Sequence, residues 1–258
     1  MCELFGLDCV NKIDITALLK EFFSHGNEHP HGWGLALFYE NSVSLEKEPE
    51  NSVKSRYLRY RLESSITADK AMAHIRLATR GSMRYDNSHP FVMRDNFGRA
   101  RTFEHNGTIF EADVLEKYSA VQRGSTDSER ILMYIIDCVN EAQDRAKRQL
   151  FANERFELID KIICTLAPEN KLNLLIYDGE LLYAHTNLEG SLNVLEEPDA
   201  AVISTRPLDK RPWKELPLNT LVAYKDGKRA YTGTDHGCAF DEEKMKLLFI
   251  NGPFIPYI

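Results

Sequence analysis

The chain combines two hydrophobic periods, one typical of helices and one typical of strands. Apolar side chains recur at helical spacing over residues 14–24, which predicts an amphipathic helix. A longer apolar stripe follows Thr126: Ile131, Leu132, Ile135, Ile136 and Val139. Thr126 and Glu129 fit a capping box, in which each side chain accepts from the other residue's backbone amide. Further helices are predicted over residues 53–64 and 154–166.

Shorter β-prone segments predict strands at residues 2–10, Trp33–Phe38, Ser42–Glu46 and Lys70–Leu77. In the last third, apolar runs flank Asp178-Gly179 and Asp226-Gly227, and Asp-Gly supplies the positive φ angles of a tight hairpin. Because hairpins pair antiparallel, the pattern indicates an α+β fold rather than a doubly wound parallel sheet. No repeat, linker or shift in composition marks a boundary, so residues 1–258 are predicted to form one domain.

Composition adds exclusions. Of the 258 residues, 43% are hydrophobic and 28% are charged, which excludes wholesale disorder. The net charge of −7 argues against nucleic acid or an anionic membrane as a partner. The five cysteines, without a C-x-x-C pair, favour a reducing cytoplasm over a disulfide framework. No apolar run approaches the roughly 20 residues that span a bilayer, and the start lacks a leader pattern, so we expect a cytoplasmic protein.

Cys2 is the first candidate for chemistry. The initiator methionine is normally removed before a small residue, which would give Cys2 a free α-amine beside its thiol. That amine has an ordinary pKa of about 7.7–8.0, so it could act as a general base for the thiol. Most cysteines at this position have no such role, and Cys2 alone is weak evidence.

Two further segments carry groups that suit a polar ligand. Arg76 lies in an apolar, strand-like segment and could grip a carboxylate with two hydrogen bonds, although an internal salt bridge explains it equally simply. Asn106 and Gly107 could offer a side-chain amide and a backbone N–H to a developing oxyanion. The simpler alternative there is an Asn-Gly hairpin turn.

Asp127 begins the helix after Thr126. A carboxylate in the first turn is favoured by the helix dipole, which is a sufficient structural reason for it. The capping box does not need Asp127, however, so its carboxylate could instead hold a substrate ammonium group.

Taken together, the motifs are much more specific than any one of them. They occur in the order Met-Cys-Glu-Leu-Phe-Gly at 1–6, His-Gly-Trp-Gly at 31–34, Ile-Arg-x-Ala-Thr-x-Gly at 75–81, His-Pro-Phe at 89–91, His-Asn-Gly at 105–107 and Thr-Asp-Ser-Glu at 126–129. This series resembles the class II glutamine amidotransferases, which are N-terminal-nucleophile hydrolases, and in particular their small stand-alone branch.

The resemblance implies a four-layer αββα sandwich of two mostly antiparallel sheets. It implies that Cys2 attacks the side-chain amide of glutamine, with Asn106 and Gly107 as the oxyanion hole. Within the matching motifs it further implies substrate-binding roles: Arg76 for the α-carboxylate, Thr79 beside it, and Asp127 for the α-ammonium. No cofactor is implied.

The resemblance has one departure, because the family commonly has Asp where this chain has His31. The loss of that carboxylate puts an ion pair near the pocket in doubt. His25, His29 and His31 also raise the alternative of a metal site, but no cysteine or acidic ligand completes the set, so no metal is expected.

Three functions stay open at this stage. The chain could be an amidotransferase that passes ammonia from glutamine to a partner protein. It could hydrolyse a larger γ-glutamyl amide or peptide without ammonia transfer. It could also be a non-catalytic binding domain on the same scaffold, which is disfavoured because all the reacting groups are present.

Overall fold

The computed structural model describes residues 2–40, 42–78 and 81–243. Seven strands form the first sheet, in the spatial order β11-β9-β10-β1-β4-β2-β3. Their bounds are β1 Glu3–Asp14, β2 Trp33–Tyr39, β3 Ser42–Glu48, β4 Thr67–Ile75, β9 Asn193–Glu197, β10 Ala200–Ser204 and β11 Lys214–Glu215. The strand β1 therefore lies in the middle of the sheet, between β10 and β4.

Six strands form the second sheet, in the order β13-β12-β8-β7-β6-β5. Their bounds are β5 Phe91–Arg94, β6 Ala100–His105, β7 Leu174–Tyr177, β8 Leu182–His185, β12 Thr220–Lys225 and β13 Lys228–Asp235. The strand pairs in both sheets are antiparallel. Both predicted hairpins are confirmed, and Asp226 and Gly227 both have positive φ.

Helices cover the outer face of each sheet. Their bounds are α1 Thr16–Ser24, α2 Arg56–Arg61, α3 Asp127–Ala146 and α4 Ala152–Leu166. The helices α1 and α2 pack on the first sheet, and α3 and α4 pack on the second. A third apolar cluster joins the inner faces of the two sheets and includes Leu4, Met72 and Leu175. The predicted α+β fold, a four-layer αββα sandwich, is confirmed.

The helical periodicity correctly identified the buried faces of α1 and α3. Leu18, Leu19, Phe22 and Phe23 are buried on α1, and the apolar stripe of α3 is buried against the second sheet. Among the described residues, no helix is both long enough and apolar enough to cross a membrane.

The strand order determines where chemistry can occur. Cys2 directly precedes β1, and Arg76 directly follows β4, the antiparallel neighbour of β1. Asn106 directly follows β6 of the other sheet, and Asp127 is the first residue of α3. One end of the sandwich therefore carries Cys2, Arg76, Asn106 and Asp127.

Candidate active site

Cys2 is half-buried beside the segment that follows β4. Its Sγ accepts a hydrogen bond from the N–H of Leu77 at 3.4 Å and donates to the Leu77 carbonyl at 3.5 Å. Burial raises the pKa of the Cys2 thiol, while the Leu77 hydrogen bond and the charges of Arg76 and Lys171 act to lower it. The thiol therefore needs a nearby base to form a thiolate near neutral pH.

Arg76 is buried, and its guanidinium donates to the backbone carbonyls of Gly81 and Ser82, each at 3.1 Å. The charges of Cys2 and Asp127 both act on it. The guanidinium thus holds the turn at residues 81–82 and is close enough to Cys2 and Asp127 to interact electrostatically with both.

Asn106 and Gly107 do not form a hairpin turn, so that alternative is wrong. The chain continues beyond β6 as an extended segment, in which the Asn106 N–H donates to the Asn173 carbonyl at 2.8 Å and the Thr108 N–H to the Lys171 carbonyl at 3.0 Å. An ideal Cβ on Gly107 would lie 2.0 Å from the Lys171 carbonyl oxygen, so only glycine fits there. The Asn106 Nδ2 is buried and has no hydrogen-bond partner among the described residues.

The start of α3 is tied to the same segment. Asp127 is buried, and its Oδ2 accepts from the Ile109 N–H at 2.8 Å. Thr126 caps the helix by accepting from the Glu129 N–H at 3.3 Å. The second half of the predicted capping box is wrong, because the Glu129 carboxylate accepts from the amides of Arg123 and Gly124 instead. The loop before α3 curls back over the helix end and brings these amides within reach.

The three histidines near residue 30 do not share one partner. His31 Nδ1 accepts from the Ala78 N–H at 2.8 Å. His25 Nδ1 and His29 Nε2 face the carboxylate of Glu3, at 2.8 Å and 3.9 Å. Within residues 2–40, 42–78 and 81–243, no three His, Cys, Asp or Glu side chains lie close enough together to hold a metal ion.

Sequence reasoning missed two charged groups next to Cys2. Glu3 is buried directly after Cys2, and its Oε1 forms an ion pair with the Arg206 Nε at 2.7 Å. Arg206 also pairs with Glu28 at 2.6 Å. This network fixes the first residue of β1, and with it the position of Cys2. The signal available in the sequence was Thr205-Arg206-Pro207, which resembles the family only loosely.

Lys171 is a third missed residue. It is buried, it lies across from Thr108, and its ammonium pairs with Glu242 at 3.3 Å. Burial lowers the pKa of Lys171, and the charges of Glu242 and Cys2 act to raise it. A lysine just before an apolar strand normally indicates a solvated strand end, so no local pattern predicts that Lys171 is buried here.

The structure therefore brings together Cys2, Arg76, Asn106, Gly107 and Asp127 at one end of the sandwich. Thr79 lies outside the described residues. A cleft of about 890 Å³ opens at the opposite end and shares none of these residues; it is lined by the β2–β3, β5–β6 and β7–β8 turns. The site is instead a compact junction of four chain segments.

Comparison with known proteins places this geometry in context. Residues 1–198 match the family model for glutamine amidotransferases class-II. An uncharacterised protein of Methanocaldococcus jannaschii is 28% identical over 260 residues, which covers 90% of this chain and 71% of that protein.

Two solved structures share the fold. The glutamine phosphoribosylpyrophosphate amidotransferase of B. subtilis, complexed with ADP and GMP, has a TM-score of 0.66 at 16% identity, over 91% of this chain. The present chain spans 49% of that enzyme's length. A predicted glutamine amidotransferase of Pseudomonas aeruginosa has a TM-score of 0.59 at 19% identity. The match covers 89% of this chain and the whole length of that protein.

Proposed function

Since the chain belongs to the class-II glutamine amidotransferase family, we propose that it hydrolyses the γ-amide of glutamine or of another γ-glutamyl compound, with Cys2 as the nucleophile. One observation carries this proposal. A buried amide donor, Asn106 Nδ2, has no partner among the described residues and lies in the segment that also holds Gly107. The carbonyl of the preceding residue, His105, contacts His74 of β4 at 3.4 Å, and His74 lies opposite Leu4, two residues after Cys2. A developing oxyanion is the kind of partner that such a donor suits.

The first step requires removal of Met1, which frees the α-amine of Cys2. That amine takes the thiol proton, and the thiolate attacks the γ-carbonyl carbon of the substrate. The carbonyl oxygen becomes an oxyanion, which accepts from Asn106 Nδ2 and the Gly107 N–H. The two donors are neutral. They therefore stabilise the negative charge of the oxyanion without attracting another anion into the site before the substrate binds.

The second step breaks the carbon–nitrogen bond. The leaving nitrogen takes the proton held by the α-amine and departs as ammonia or an amine, and a γ-glutamyl thioester stays on Cys2. Water then attacks the thioester carbonyl with the α-amine as base. The products are glutamate, the free thiol and the regenerated amine, so atoms and protons balance.

Substrate binding follows from charge. The α-amino acid end of a γ-glutamyl group is a zwitterion, and Arg76 and Asp127 provide a buried cation and a buried anion. Arg76 would hold the α-carboxylate in a bidentate grip, and Asp127 would hold the α-ammonium. We propose Thr79 as an additional contact near the carboxylate.

Labelling tests this proposal directly. A γ-glutamyl diazoketone should add once, to Cys2, in protein that has lost Met1, as read by intact mass and peptide mapping. Cys9 is the internal control, because it is buried and burial raises the pKa of its thiol to about 12. The proposal fails if the adduct maps elsewhere, or if processed protein neither takes the label nor cleaves any γ-glutamyl amide.

A further inference from the structure

Lys171 has no task in the reaction proposed above, although its ammonium acts electrostatically on the Cys2 thiol. Its side chain is only 7% exposed. Burying an ammonium has a large cost in solvation free energy unless anionic or hydrogen-bonding groups compensate for it. The position of Lys171 relative to Asn106 indicates what such a group could be.

The strand register places Lys171 beside Asn106. His105 pairs with Leu174, and the same antiparallel register continues to the bridge between Thr108 and Lys171. Side chains alternate along a strand, so Asn106, Thr108 and Lys171 share one face of the second sheet. Asn106 lies opposite residue 173, which makes Lys171 its diagonal neighbour, at a typical Cβ separation of about 7–8 Å.

The sheet order shows on which side of Asn106 this lysine lies. Arg76 and the start of α3 are tied to the segment that leads into β5: Asn87 accepts from the Ser125 N–H and donates to the carbonyl of Ser82, which Arg76 also contacts. Lys171 belongs to the segment that leads into β7. Because β6 lies between β5 and β7, Arg76 and Lys171 flank Asn106 from opposite sides.

A substrate whose α-amino acid end is held by Arg76 and Asp127, with its γ-carbonyl at Asn106, would therefore direct its leaving group toward Lys171. In a γ-glutamyl amino acid, the leaving nitrogen carries a carboxylate one carbon away. In glutamine, the same nitrogen carries only hydrogen.

The lysine already has a carboxylate partner. Glu242 contacts the Lys171 Nζ at 3.3 Å, and its own side chain is 43% exposed. The segment of Glu242 is seated by a hydrogen bond from the Phe240 N–H to the Asn187 carbonyl, and the Phe240 ring stacks on Phe110. A carboxylate thus fits against the Lys171 ammonium. The carboxylate that pairs with it in this structure, that of Glu242, faces solvent on its other side.

We infer that Lys171 binds a carboxylate on the leaving amine of the substrate, so that the preferred substrates are γ-glutamyl amino acids, which carry a carboxylate beside the scissile amide. This inference rests on the proposed function. The bonds broken and formed are those described above, and the leaving group is an amino acid instead of ammonia. Glu242 occupies the same position in the free protein and is displaced on binding.

The test compares γ-glutamylglycine with γ-glutamylglycinamide, which differ only in the carboxylate. In the wild type, kcat/KM should favour the carboxylate by at least about tenfold, the effect of one charge-assisted hydrogen bond. Lys171→Met should reduce this ratio to about one, and Lys171→Arg should restore part of it. The ratio cancels any effect of the lysine on the Cys2 thiol, because both substrates use the same nucleophile.

Glu242→Gln provides a second variant that leaves the lysine in place. It should lower KM for γ-glutamylglycine and leave KM for the glycinamide within about twofold, because it removes only a competing carboxylate. Equal kcat/KM for the two substrates in the wild type, or a ratio that persists in Lys171→Met, overturns the inference while the proposed function stands. Absence of turnover of both compounds and of glutamine overturns the proposed function, and the inference with it.

Discussion

His31 Nδ1 accepts a 2.8 Å hydrogen bond from the backbone N–H of Ala78, two residues beyond Arg76. The backbone of His31 also donates to the Arg76 carbonyl at 3.0 Å. His31 thus fixes the segment that carries the guanidinium. Where the family commonly has a carboxylate, this chain keeps an acceptor atom and drops the negative charge.

This acceptor should make the fold sensitive to acid. Burial lowers the pKa of His31, and the Arg76 charge lowers it further. Its pKa in the folded protein is therefore below the ordinary value of about 6.5, so the hydrogen bond stabilises the protein above that pH and is lost as pH falls through the lowered value. In His31→Asn, the amide oxygen can accept the same hydrogen bond and does not titrate. We expect the Tm of this variant, relative to that of the wild type, to rise as pH falls from about 8 to about 4.5. A Tm difference that does not change with pH would contradict this.

Cys2→Ala should abolish turnover and preserve the fold. Removal of a covalent nucleophile lowers kcat by about a thousandfold or more. The side chain is half-buried with two long hydrogen bonds, so we expect little change in Tm. Cys9→Ala is the matched control. It should lower the Tm and preserve turnover, because Cys9 is buried in the core. Turnover above about a tenth of the wild-type rate in Cys2→Ala would exclude Cys2 as the nucleophile.

Asn106→Ala should lower kcat by about 10²–10³-fold, the usual cost of one oxyanion-hole donor. Its Nδ2 has no partner among the described residues, so the loss of stability should be small for a buried amide. Asn170→Ala is the comparison, because the Asn170 side chain accepts from two amides and donates to three carbonyls. Thermal melts should show a much larger drop for Asn170→Ala; equal drops would argue against a donor held ready for substrate.

Asp127→Asn should raise KM by about tenfold to a hundredfold for substrates with an α-ammonium, because it removes one ionic hydrogen bond. The amide oxygen can still accept from the Ile109 N–H, whereas the hydrogen bond that Oδ1 accepts from the Ser128 N–H at 2.9 Å is lost. The effect should vanish with glutaramate, the analogue of glutamine without the α-ammonium. Asp144→Asn, an exposed change on the same helix, is the control and should leave both KM values unchanged. An equal rise for glutaramate would assign Asp127 a purely structural role.

Glu104 should be a site where the protein can be stabilised. It is fully buried on β6, neither carboxyl oxygen has a partner among the described residues, and burial raises its pKa well above the ordinary value. The folded protein therefore holds the proton while the unfolded chain releases it above about pH 4.3, so the cost to stability grows as pH rises. Glu104→Met should gain about 1–3 kcal/mol near pH 8 and less near pH 5, by denaturant melts. Lower stability of Glu104→Met than of the wild type at both pH values would show that the Glu104 carboxyl makes a stabilising interaction.

The sequence predicted elements best where one face alone is buried. The stripe of α3 and the short run of α1 follow directly from packing on a sheet. The strands β5 and β6 were missed because β6 buries polar residues on both faces: Arg101, paired with Asp95 at 2.7 Å, and Glu104. These two charges conceal the alternation that identifies a strand. That residues 1–258 form one domain stays a prediction.

The site shows a similar division. Residues within compact motifs, such as Cys2, Arg76 and Asn106, could be found from local patterns. Glu3, Lys171 and Arg206 could not, because each is a common surface residue type whose burial depends on a partner far away in the chain. Only the pairing of strands that are distant in sequence brings Lys171 and Arg206 toward Cys2 and Glu3.

The central position of β1 has a consequence for how activity arises during synthesis. The strand that begins beside Cys2 pairs on one side with β4 and on the other with β10, whose Ser204 lies opposite Phe5. Residues 76–199, about half of the described chain, separate these two partners, and β10 lies close to the end of the described chain. A ribosome-bound or truncated chain that lacks β10 leaves β1 at an open sheet edge, and it also lacks Arg206, which anchors Glu3. We therefore expect Cys2 to reach its position in the site only after most of the polypeptide has been made.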